Sequence, residues 1–207
     1  METKIHYGCG RRLLHGWLNV DSMDAHSYPI GHDDNAHYPA IFRCDLTRPH
    51  PFEDNQFEQA FSEDFVEHLT QPDFIYFMGQ VARTLKPGGI FMFCAPRLSQ
   101  LPFAMAEALN GDTDPTLPKL REWIYQNYTR WGHHRLVTPD EIVAVAWLAG
   151  LQFMFYGQEG TAELVNERAG VNLSWPAWSR PGDTNISYYM ALQKPLVGVD
   201  AQRNVGR

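Results

Sequence analysis

Cysteine is scarce in this chain. There are three in 207 residues, Cys9, Cys44 and Cys94, and no two stand in a C-x-x-C pair. That spacing excludes a zinc knuckle, and an odd, scattered set does not make a disulfide framework. The thiols read as reduced, as expected of a cytoplasmic protein. The N-terminus has no apolar core of the kind a signal peptide needs, so no leader is expected. No apolar run is long enough to span a membrane. The longest, residues 142–156, is broken by Gly150 and Gln152 and reads as a helix followed by a strand. Basic residues are outnumbered, 17 Lys and Arg against 24 Asp and Glu, for a net charge of -7. That balance argues against a general nucleic-acid or anionic-membrane binder, and neither partner is expected. Internal repeats and low-complexity tracts are also missing. What remains is 44% hydrophobic and 20% charged. This is an ordinary globular composition, and the length suits one domain with its own core.

Strand and helix patterns alternate along the chain. Strands are expected at 4–7, 17–20, 42–44, 59–62, 90–95, 151–156 and 186–193. A helix should open at Thr70, with Pro72 early where its missing N–H costs nothing. Phe74, Ile75, Met78, Val81, Ala82 and Leu85 fall at helical spacing, and Lys86-Pro87-Gly88-Gly89 should end the helix. A second helix should open at the capping box Thr138-Pro139-Asp140-Glu141 and stop at Gly150. Such alternation predicts an α/β fold, a three-layer sandwich around a mostly parallel sheet.

The most informative local feature is Tyr7-Gly8-Cys9-Gly10, followed by Asn19-Val20-Asp21. A strand runs into a Gly-x-Gly turn, and the next strand ends in an acid. The glycines let backbone approach a ligand closely, and the acid can accept hydrogen bonds from both ribose hydroxyls. A dinucleotide site needs a third glycine opening a helix, whose N-terminus holds the pyrophosphate. Leu13 stands where that glycine would be, and the segment from Gly10 to Asp21 is too short for a full helix and a strand. A nucleoside without phosphate fits better, and S-adenosylmethionine is such a ligand.

These motifs, in this order, resemble those of the class I S-adenosylmethionine-dependent methyltransferases, of the small methyltransferase-11-like type. The resemblance rests on residues 5–10, 16–21, 44–46, 51–57, 62–69 and 85–89, and the 138–193 segment fits more loosely. It implies a Rossmann-like, mostly parallel seven-stranded sheet with an antiparallel last strand. It implies that Tyr7, Gly8, Cys9 and Gly10 face the amino-acid part of the cofactor and that Asp21 holds the ribose. Asp45 and Leu46 would meet the adenine, and Glu63 and Asp64 would lie beside the sulfonium. The chain departs from the family pattern in a first helix shortened to a loop and in a long insertion at 22–43. Arg11 and Arg12 could pair with the cofactor carboxylate or be solvated charge.

The sulfonium is already an activated donor, so the protein mainly supplies alignment and water exclusion. A hydroxyl acceptor needs a base, and His68, His133 and His134 are the candidates. Asp64, Glu67 and His68 would share one face of a helix and could hold a divalent ion. Acids complementing a helix dipole account for the same pattern, and no metal is expected. The loop carrying His26, His32, Asp33, Asp34 and His37 could also bind metal, but it reads better as a solvated insertion.

The expected organisation is one domain over 1–195, with segments 97–135 and 157–185 shaping the acceptor pocket, and a disordered tail at 196–207. Trp123, Tyr128, Trp131, Trp175 and Trp178 could stack on an acceptor or pack onto the sheet. The expected activity is methyl transfer to a small molecule, most often an oxygen. The alternative is a non-catalytic module that binds S-adenosylmethionine or S-adenosylhomocysteine and acts through a partner. Oligomeric state is not legible.

Overall fold

The computed structural model describes residues 2–10, 13–22, 40–96, 122, 132–135, 137–157 and 187–196. The strands are β1 (Lys4–Tyr7), β2 (Leu18–Asp21), β3 (Ile41–Arg43), β4 (Phe57–Glu63), β5 (Leu85–Pro96), β6 (Gln152–Gly157) and β7 (Ser187–Gln193). The helices are α1 (Gln71–Thr84) and α2 (Pro139–Leu148), and a 3-10 turn covers Val66–His68.

The seven strands form one sheet in the order β3-β2-β1-β4-β5-β7-β6. Neighbours pair in parallel from β3 across to β5, and β7 runs antiparallel to both β5 and β6. A single reversed strand, the last in the chain, is what the family resemblance implied. Strand order reverses direction between β1 and β4. In open α/β sheets a ligand crevice opens at such a switch point, outside the carboxyl ends of the strands.

Alternation along β5 sorts the core. Phe91, Phe93 and Ala95 face one side, with Phe74, Phe77, Met78 and Val81 of α1 and Ile142 and Val145 of α2. Ile90, Met92 and Cys94 face the other, against Leu14 and Trp17. Each fully buried Phe, Leu or Met contributes about 1.5–3 kcal/mol, so the α1 face alone supplies a large share of the driving force. Among the described residues no helix lies between β1 and β2. Asn19 organises that loop instead: its side chain bonds Leu14 N (2.8 Å), Leu14 O (3.0 Å) and Trp17 O (3.1 Å).

The helix starts follow their signals. Thr70 accepts a hydrogen bond from Asp73 N, and Thr138 from Glu141 N. The capping box at α2 is only half formed, because the Glu141 carboxylate pairs with Arg135 at 2.5 Å. The end of α1 differs from expectation. The helix stops at Thr84, and Leu85 is already extended strand that pairs with Phe57 before a register shift. Pro87 explains the stop: it has no N–H to donate, and its ring would strike the carbonyl of Arg83.

Arg11, Arg12, the 23–39 insertion, the aromatic residues named above in 97–131 and 158–186, and the tail beyond Leu196 lie outside the described residues.

Candidate active site

The carboxyl ends of β1, β2 and β4 meet at the switch point, and the expected cofactor residues cluster there. Gly8 and Gly10 both take left-handed backbone, φ 62° and 50°. Other residues rarely adopt this conformation, and the turn between β1 and β2 needs it twice. Cys9 N donates to Val20 O (3.1 Å), and Gly10 N donates to Asp21 Oδ2 (2.8 Å). The acid at the end of β2 therefore clamps the glycine turn at the end of β1. Asp21 is nearly buried, 9% exposed.

The other expected contacts are placed as follows. The Tyr7 side chain points into the core, its hydroxyl 2.8 Å from Thr84 Oγ1, so only its main chain can face a ligand. The Cys9 thiol is pushed up to about 12, by burial and then by the Asp21 charge, which makes it inert as a nucleophile. Asp45 closes a turn: its Oδ1 accepts from Thr47 N (2.9 Å) and Thr47 Oγ1 (2.7 Å). These bonds hold its carboxyl below the usual range. Leu46 is buried. Glu63 closes β4, and Asp64 follows in left-handed backbone (φ 46°), its N–H bonded to Cys94 O (3.1 Å).

Asp64 is thus outside any helix, and only Val66–His68 is helical. The shared helix face expected for Asp64, Glu67 and His68 does not form. A different set does. The stretch 132–135 lies along the 3-10 turn, tied by His134 N to Glu67 O (2.9 Å) and by Arg135 Nε to Leu69 O (3.1 Å). Arg135 also stacks over the Phe74 ring at 4.6 Å. This brings His133 against His68, ring centroids 4.7 Å apart, with His133 Nε2 3.7 Å from Glu67 Oε1. His134 is tied in through its main chain, and its exposed side chain still acts electrostatically on His68, helping to lower it.

Burial lowers the pKa of both clustered histidines. His133 falls to about 4, helped by His68. His68 is also lowered, offset in part by the carbonyls of Gly132 and Asp64. His68 Nδ1 lies 3.2 Å from Gly132 O, so it carries the proton, and in the neutral ring Nε2 holds the lone pair. Burial, then the Asp64 charge, raises Glu67 to about 8. No sequence pattern links Glu67 to His133, because chain folding alone brings them together.

Residues 5–93 match a family model described as a methyltransferase domain. No curated protein matches the chain. Solved structures resemble nearly all of it. One is a Haloferax volcanii chain described as a methyltransferase and solved with the Trm112 methyltransferase activator. It is 15% identical, covers 94% of this chain and 83% of its own, and has a TM-score of 0.53. An S-adenosylmethionine-dependent methyltransferase of Archaeoglobus fulgidus is 13% identical, covers 92% and 85%, and scores 0.54. One from Mesorhizobium loti is 17% identical, covers 93% of each chain, and scores 0.51. At such identities the structural likeness is one of fold, and the family match adds the domain type.

Proposed function

We propose that this chain, whose residues 5–93 match a methyltransferase-domain model, is a class I S-adenosylmethionine-dependent methyltransferase that moves the methyl group to an oxygen of a small-molecule acceptor. The observation that carries the placement is the Gly10–Asp21 clamp at the switch point. In this proposal the glycine turn receives the amino-acid end of the cofactor and the acid receives the ribose. In this reading Gly8, Cys9 and Gly10 offer main chain to the cofactor, and Asp45 and Leu46 flank the adenine. Glu63 and Asp64 stand near the sulfonium. Residues 1–195 act as one domain, with 97–135 and 157–185 as its variable substrate segments.

In the transfer step the acceptor oxygen attacks the methyl carbon. The new O–C bond forms as the C–S bond breaks, and the bonding pair returns to sulfur as a neutral thioether. The hydroxyl proton goes to a base. His68 suits this role better than His133. Both are neutral near pH 7, but a pKa near 4 makes His133 a poor proton acceptor. The His134 side chain is exposed beside the pair.

The Haloferax volcanii chain was solved with an activator protein. That favours, as a second reading, a chain that works with a protein partner. Among the described residues no helix is long and apolar enough to cross a membrane.

The test is a thermal-shift titration with S-adenosylmethionine, S-adenosylhomocysteine and NAD. Ligand at a hundred times its dissociation constant should stabilise the fold by about 2.7 kcal/mol. A shift with the two sulfur nucleosides alone, lost in Asp21→Ala, is expected. A shift with NAD alone would overturn the reading. Methylated product from an acceptor panel, lost in His68→Ala, would separate the enzyme from a binding module.

A further inference from the structure

We infer that Glu67, His68 and His133 form a binding site for one divalent transition-metal ion. Each offers a ligand atom, and the three atoms lie within 4.8 Å of one another. The set is unlike a surface cluster of acids. Glu67 is 1% exposed, and neither of its carboxylate oxygens has a hydrogen-bond partner among the described residues. Isolated buried carboxylates are costly, and they are normally paired, hydrogen-bonded or bound to a metal. His133, 3.7 Å away, is charged only if protonated, and Arg135 acts on Glu67 through its charge without a hydrogen bond to it. A metal ion would supply the charge this carboxylate lacks.

The donor set narrows the ion. Two imidazole nitrogens and one carboxylate suit Zn²⁺, Co²⁺, Mn²⁺, Fe²⁺ or Ni²⁺, whereas Mg²⁺ and Ca²⁺ prefer oxygen alone. Ligand atoms around a tetrahedral ion with bonds of about 2.05 Å sit roughly 3.3 Å apart. The Glu67–His133 distance is already close to that. The widest separation must shrink by side-chain rotation. The surroundings hold the ligands in place. Glu67 and His68 are adjacent on the 3-10 turn, and His134 N fixes the neighbouring strap to Glu67 O at 2.9 Å. The Gly132 carbonyl takes the Nδ1 proton of His68 at 3.2 Å, the kind of outer contact that sets tautomer and ring orientation in metal-binding histidines.

Three protein ligands leave an open coordination position, as in catalytic sites. With the ion bound, His68 Nε2 would be a ligand in place of the base, and an acceptor hydroxyl on the ion would lose its proton more readily without it. This consequence rests on the methyltransferase reading above, whereas metal binding itself does not.

The test is a Co²⁺ titration of the untagged, chelator-stripped protein, followed by visible absorption. Saturation at one Co²⁺ per chain, reversed by Zn²⁺ and not by Mg²⁺, is expected. Glu67→Gln, which keeps the side-chain shape, and His133→Ala should each weaken Co²⁺ at least tenfold. Circular dichroism of each variant must match the parent. No stoichiometric binding would overturn the inference. So would binding that both variants leave unchanged, which would place the ion elsewhere, for example on the histidines of 26–37. The S-adenosylmethionine thermal shift is measured on the same samples. A nucleoside shift without Co²⁺ binding overturns only the metal site. Co²⁺ binding without a nucleoside shift supports the metal site and tells against the methyltransferase reading.

Discussion

Gly8 and Gly10 have the same backbone handedness but different surroundings, and the pair makes a controlled experiment. A Cβ on Gly8 would lie 2.3 Å from Cγ and Cδ2 of Phe65 and 2.8 Å from its Cβ. The Phe65 ring packs edge-on against Phe77 at 5.3 Å, so it cannot retreat without opening the core beneath α1. Among the described residues, a Cβ on Gly10 would meet nothing within 4 Å. Left-handed backbone costs an alanine about 1–2 kcal/mol. Overpacking adds about 1–3 kcal/mol, but at Gly8 only. Gly8→Ala should therefore lose about 2–5 kcal/mol in urea denaturation and Gly10→Ala about 1–2. In a Phe65→Ala background the Gly8→Ala cost should fall to the Gly10→Ala level. Ligand binding should rank the other way among folded variants. Gly10→Ala puts its methyl into the open space assigned to the cofactor, and S-adenosylmethionine should bind at least tenfold more weakly. Equal stability losses, or a Gly8→Ala variant within about 0.5 kcal/mol of the parent, would refute the packing argument.

His50 gives a pH prediction. It is buried beside Tyr7 and Phe77, its Nε2 lies 3.2 Å from Leu46 O, and burial lowers it to about 4. The folded state resists protonation that the unfolded chain accepts below about 6.5. Stability is therefore lost as pH falls from 6.5 towards 4. Relative to His50→Phe, the parent should lose about 2 kcal/mol between pH 7.5 and pH 5, and parallel pH profiles would refute this. Thr138→Ala should cost about 0.5–2 kcal/mol by calorimetry, because Glu141 N loses its cap, and a change below that range would mean that the Arg135–Glu141 pair holds the helix start alone.

Local signals were legible and long-range ones were not. The apolar run of β1 was bounded at its observed residues, and the capping threonines marked both helix starts. These features depend on neighbours within four positions. The start of β5 was missed because residues 85–89 carry breaker chemistry, yet Leu85 pairs with Phe57 across the sheet. The helix expected through Asp64 failed for a similar reason. The turn out of β4 puts Asp64 in left-handed backbone and ties its N–H to Cys94 O, which overrides the i, i+3, i+4 pattern. The antiparallel direction of the last strand came from the family resemblance, but its place between β5 and β6 was not read, since hydrophobic period carries no strand order. For the site, the glycine turn and Asp21 could be read because they sit on consecutive strands. The contacts of Phe65 with Gly8 and of His133 with Glu67 exist only once the sheet has formed.

Asp21 combines two tasks that a pair of substitutions can separate. Its Oδ2 accepts the Gly10 N–H at 2.8 Å, which holds the turn, and its negative charge is what a ribose diol would use. Asparagine keeps a carbonyl oxygen for Gly10 but loses the charge and places an amide where a second acceptor stood. Alanine removes both functions. A hydrogen bond to a charged group contributes about 1.5–3 kcal/mol, so Asp21→Ala should lose stability on that scale, whereas Asp21→Asn should lose less than about 1 kcal/mol. Nucleoside affinity should behave otherwise: both variants should bind S-adenosylhomocysteine at least tenfold more weakly by calorimetry, because a donor amide cannot accept from the ribose. If Asp21→Asn keeps full affinity, the acid serves the turn alone, and the nucleoside does not rest on the end of β2. If it loses affinity while the fold holds, the carboxylate charge is needed for the ligand, and the clamp on Gly10 explains how the acid at the carboxyl end of β2 stays fixed to meet it.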